Sequence, residues 1–86
     1  DEDRERIKKT VLSHHEVEGI HDLRTRSSGR FSFIQFHLEI DGKKSLTESH
    51  RISDEVEGEV QKLFPDAEIL IHQDPEGILE KQKTFE

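Results

Sequence analysis

Near the C-terminal end of the chain, in the stretch AEILIHQDP, an imidazole and a carboxylate stand two positions apart, at His72 and Asp74. In an extended strand, side chains at i and i+2 share a face, which sets the two side by side. Such a pair suits a metal site or a hydrogen-bonded structural couple. A third candidate, His37, lies in FSFIQFHLEI, Phe31 to Ile40. There the alternation sends Ile34, Phe36, Leu38 and Ile40 to one face and Phe31, Phe33, Gln35, His37 and Glu39 to the other. His37 thus faces away from the aliphatic side. His72 and Asp74 do the same if Ile69 and Ile71 point inward.

Two more histidines complete the candidate set. His21 opens a strand that a hairpin would pair with the one carrying His37. Strand parity puts His21 on the same face as Leu23, so only a bulge or a ragged strand start turns it outward. His50 falls on a helix, about 90° from its apolar stripe at roughly 100° per residue. It is placed to lean over a sheet edge or into a subunit boundary. With no cysteine in the chain, ligands must be imidazole and carboxylate. Zn2+ fits such a nitrogen and oxygen set, with Fe2+, Mn2+, Co2+, Ni2+ and Cd2+ as alternatives. The two oxygens of Asp74 allow it to bridge two ions, His21 and His37 serving one and His50 and His72 the other.

Other polar clusters point to blander roles. A lone surface histidine is more often solvated than ligating; what distinguishes the set above is convergence. His14 and His15 are expected to close the first helix, where an imidazole suits the dipole. The run Asp54, Glu55, Glu57 and Glu59 reads as a solvated helix face. Ser45 to His50 contains serine, acid and histidine within one helical segment, without the geometry of a hydrolase triad. No glycine-rich phosphate loop is present.

The elements that must position these residues follow from periodicity. Ile7 and Val11 mark a helix over about Asp3 to Ser13, and Gly19 breaks it before a strand at Ile20 to Arg26. SSGR is a turn signal leading into Phe31 to Ile40. Asp41 to Lys44 form a second turn. Ser45 or Thr47 caps a helix striped by Leu46, Ile52, Val56, Val60 and Leu63, which Pro65 ends beyond Phe64. Ala67 to Asp74 is the last strand. The order αββαβ is that of a two-layer α+β sandwich, with both helices on one face of a three-stranded sheet. The other face is left uncovered, and Phe31, Phe33 and Leu70 on it suggest a partner, most simply a second copy. Residues 1–75 are expected to form the domain and 76–86 a flexible charged tail.

Composition narrows the function classes. The 86 residues are 29% hydrophobic and 38% charged, with a formal net charge of -7. That charge opposes binding to nucleic acid or an anionic membrane and favours cations. The longest apolar run is three residues, Ile69 to Ile71, against the ~20 of a membrane-spanning helix. The opening DEDRER, without methionine, leads to the expectation of a piece of a longer protein.

Four collinear blocks, EVEGIHDLRTR, FIQFHLEIDG, SHRISDEVE and ILIHQDP, resemble the cytoplasmic C-terminal domain of cation diffusion facilitator transporters, in particular the bacterial zinc and ferrous-iron efflux (FieF-type) branch. The resemblance implies a homodimer of ferredoxin-like domains, cytoplasmic and covalently attached to a membrane domain that exchanges divalent metal for protons. It implies His21, His37, His50, His72 and Asp74 as ligands near the dimer interface, the aspartate bridging and Gln73 supporting the site across the dimer. Some relatives carry a cysteine where this chain has Glu76, so a softer ligand is lost here. The role implied is metal sensing that biases the transporter's conformation, not catalysis. The competing readings are a freestanding metallochaperone, a metal-free dimerisation module and a small enzyme of the acylphosphatase type; the last requires an anion-binding loop that the chain lacks.

Overall fold

A computed structural model describes residues 2–27 and 31–76. The elements run α1 (Glu2–Leu12), β1 (Val17–Ser27), β2 (Phe31–Asp41), α2 (Leu46–Leu63) and β3 (Glu68–Glu76). The αββαβ order and the α+β class expected from periodicity are both found. Of the expected tail, Glu76 belongs to β3 and residues 77–86 lie outside the described residues, as do residues 28–30 of the turn after β1.

The sheet order is β1-β2-β3, with β1 and β2 antiparallel and β2 and β3 parallel. The parallel pair is joined through α2, since parallel strands need a long crossover. β2 takes the centre because its inward residues form the core: Ile34, Phe36, Leu38 and Ile40 are all buried. Ile7 and Val11 from α1, Leu23 from β1, and Ile52, Val56 and Val60 from α2 complete that core on the same side. Both helices therefore cover one face.

Local chemistry sets the element ends. Ser45 caps α2 with a full capping box: its hydroxyl accepts from the Glu48 N–H at 3.0 Å, and the Glu48 carboxylate accepts from the Ser45 N–H at 3.2 Å. At the other end the Gln61 amide donates to the carbonyls of Phe64, Pro65 and Ala67, tying the helix exit to the start of β3. Leu46 departs from the expected stripe. It is 83% exposed, at the very start of α2.

β1 begins at Val17, three residues before the expected start, and it is irregular. His21 pairs with His37, yet the next pairing is Arg24 with Gln35, so three steps on β1 match two on β2. Asp22 sits at this bulge with φ 57°, a left-handed conformation that aspartate tolerates better than most residues. The extra residue lets Leu23 face the core while His21 and Arg24 face outward. Arg4 of α1 donates to the Leu23 carbonyl at 2.9 Å, fastening the bulge from the helix side.

Candidate metal centre

The uncovered face gathers the ligand-type side chains at one end of all three strands. β1 contributes His21, β2 His37 and β3 both His72 and Asp74. The pairings His21 with His37, His37 with His72, and Glu39 with Asp74 make the rows adjacent. The bulge supplies the outward turn that His21 required.

Asp74 is the hub. Its Oδ2 lies 2.8 Å from His37 Nδ1 and 3.2 Å from His21 Nε2. His21, His37 and Asp74 each offer a ligand atom within 4.8 Å of the others. Donors on a tetrahedral ion with bonds of 2.0–2.2 Å lie about 3.3–3.6 Å apart, so small rotations fit this trio to a dication. The donor set matches Zn2+ chemistry, and its opening towards solvent leaves room for further ligands. The trio is part-buried, Asp74 most deeply, with its side chain 15% exposed.

His72 is exposed and lies at the edge of the cluster. Its ring stacks on His37 with centroids 5.0 Å apart, and His37 in turn stacks on His21 at 5.3 Å. His50 is not joined to the trio within the chain. It lies on α2, on the covered side of the sheet, exposed and 3.4 Å from Asp54. A cavity of about 360 Å³ beside Asp74 is lined by Gln73 and Asp74 of β3 and by Leu46 and Ser49 of α2.

Two acids that sequence reasoning did not nominate flank the trio. Glu39 Oε2 lies 3.6 Å from His21 Nδ1, and Asp22 Oδ2 lies 3.7 Å from His37 Nε2. Strand parity alone pointed to Glu39, two residues beyond His37. Asp22 is brought in by the bulge, which sequence periodicity does not mark.

A second group, His14, His15 and Glu16, also clusters. Here the functions are already taken. His14 Nδ1 accepts the Glu16 backbone N–H at 3.1 Å, which leaves Nε2 to donate to Glu55 at 2.8 Å. Glu16 is held by Arg51 at 3.0 Å and Lys44 at 3.5 Å. The hydrogen bond from Arg51 keeps the Glu16 carboxyl below its ordinary value of 4.5. Those from His14 and then Arg51 lower Glu55 likewise. His14 thus does more than close α1: it latches the α1–β1 turn to α2, and Glu55 is a partner in that latch instead of merely a solvated acid.

Comparison with known proteins places the chain in a family. Residues 1–76 match the family model described as cation efflux protein, cytoplasmic domain. The chain is 54% identical over 76 residues to the cation-efflux pump FieF of Shewanella oneidensis, covering 87% of this chain and 26% of the pump. It is 48% identical over 86 residues to protein p34 of Rickettsia rickettsii, covering all of this chain and 29% of that protein. The chain therefore spans less than a third of the length of these curated relatives. Among solved structures, the metal-bound C-terminal domain of the CzcD transporter from Thermotoga maritima superposes with a TM-score of 0.77 at 28% identity, covering 88% of this chain and 90% of that one. On the family match over nearly the whole described chain, and on the shared fold, the chain belongs to the cation efflux (cation diffusion facilitator) family and is its cytoplasmic domain.

Proposed function

We propose that this domain binds a divalent cation, Zn2+ first among the candidates, and acts as the regulatory part of a metal-efflux transporter. The observation that carries the reading is the convergence of His21, His37 and Asp74 on a common point. A bound dication supplies positive charge where the carboxylates of Asp22, Glu39 and Asp74 crowd together. His21, His37 and Asp74 would hold one ion. Asp74 would also help to hold a second ion, for which His72 and His50 of a second copy of the chain would supply the imidazoles, with Gln73 at the seam.

The dimer is the unit in which such binding becomes a signal. Two copies sharing ions are drawn together, and the attached membrane domain feels the change in their separation. Shifting a two-state equilibrium from 1:99 to 99:1 takes about 5.5 kcal/mol of differential affinity, within the range of multi-ligand coordination. A metal-free dimerisation module is the competing reading, favoured by the 2.8 Å contact of His37 with Asp74, which satisfies both groups without an ion.

Calorimetric titration with Zn2+ decides between them. Saturable binding that is lost in Asp74→Ala and weakened in His50→Ala is the expected outcome. Absence of saturable heat in the folded protein would leave the metal-free module.

A further inference from the structure

We infer that Glu39 and Asp22 are positioning residues for the cation site, each aiming one ligand imidazole at Asp74. This rests on the metal-binding reading above. The five side chains form an alternating chain across the sheet, Glu39–His21–Asp74–His37–Asp22. Each histidine presents one ring nitrogen to Asp74, at 3.2 Å for His21 and 2.8 Å for His37, and the other to an outer acid at 3.6 or 3.7 Å. The outer separations are ion-pair distances, longer than hydrogen bonds. They close when the inner nitrogen takes an ion, because the ring must then carry its proton on the outer nitrogen. A carboxylate accepting that proton fixes ring orientation and raises ligand basicity.

Two backbone features hold the outer acids in place. Gly19 pairs with Glu39 across the β1–β2 ladder, and a methyl group there would stand 2.7 Å from Glu39 Oε1. The missing side chain is the space the carboxylate fills. Asp22 reaches His37 from the bulge at φ 57°, with its carboxylate steadied by Arg24 at 3.2 Å. The same irregularity that turns His21 outward thus delivers the acid that orients His37.

The test is a set of double-mutant cycles read by Zn2+ affinity. Glu39→Gln and Asp22→Asn are each expected to weaken binding roughly 10- to 100-fold, the range for outer partners of metal ligands. The losses must be partner-specific: Glu39→Gln adds nothing further in a His21→Ala background but keeps its full effect in His37→Ala, and Asp22→Asn does the reverse. Equal effects in both backgrounds would show a general charge contribution and overturn the inference. Gly19→Ala, which displaces the flexible end of Glu39 and touches no ligand, should reproduce the Glu39→Gln loss without altering thermal stability of the metal-free protein.

Should an alanine background bind too weakly to titrate, imidazole 15N spectra of the Zn2+-loaded single variants decide. A slowly exchanging Nδ1 proton on His21 that disappears in Glu39→Gln and persists in Asp22→Asn supports the assignment, and its persistence in both refutes it. Failure of the wild-type protein to bind Zn2+ at all would instead sink the metal-binding reading.

Discussion

Glu16 is paired with Arg51, Lys44 and the neighbouring His15. Its carboxyl and that of Glu55 are depressed below 4.5 by hydrogen bonds, so both bind fewer protons in the folded chain than in the unfolded one. The stability they contribute is complete above that value and drains away as pH falls through their folded-state values. Glu16→Gln is therefore expected to flatten the acid side of the stability profile, measured as Tm between pH 6 and pH 3, while lowering Tm at neutral pH. A variant with the wild-type slope would remove Glu16 from the acid response. At the candidate metal centre, imidazole and carboxylate at strand spacing named His37, His72 and Asp74, and the fold sets His37 and Asp74 in contact with His72 at the edge of the cluster. Of the outer acids, parity placed Glu39 on the same face, whereas Asp22 was hidden by a bulge that spacing does not mark.

Among the elements, α2 shows how local signals fix a boundary. The Ser45 capping box satisfies two orphan donors at the first turn. Ser45→Ala is expected to destabilise the domain by about 1 kcal/mol in denaturant unfolding, within the usual range for such caps; a change near zero would mean the first turn is held by other contacts. This turn carries the exposed Leu46 and leads directly into His50, so fraying here would loosen the position of His50. The helices and strands were legible because β2 alternates without a break and α2 keeps its apolar stripe from Ile52 to Val60. β1 was legible only in part. Its outward histidine contradicts simple alternation, and the bulge that resolves the conflict is stabilised by long-range contacts, including Arg4 to the Leu23 carbonyl. Leu46 misled for the opposite reason: it has the right period but, as the first residue of α2, is left exposed.

For the whole molecule, net charge opposes the association that the uncovered face invites. Two copies at -7 each repel one another, and the repulsion is screened within about 10 Å at 0.1 M salt. Light scattering at micromolar protein is expected to report twice the chain mass in Zn2+ at moderate salt, with the dimer fraction falling when metal is chelated at low salt. A strict monomer under all these conditions would refute the dimer. On this account the cation works at long range as a counter-charge and at short range as a ligand-gathering centre.

The bulge at Asp22 has a consequence for how such centres arise. An ordinary strand must choose, position by position, between filling the interior and serving the exterior; a single inserted residue shifts the phase, so neighbouring stretches of one strand do both. Paired regularly instead of bulged, Asp22 would leave His21 on the inward face with Leu23; deleting Asp22 would set His21 and Leu23 side by side on opposite faces, keeping His21 outward and removing only the acid that faces His37. A catalogue of sheet surfaces that acquired or lost metal sites could therefore be searched for one-residue bulges before it is searched for new histidines.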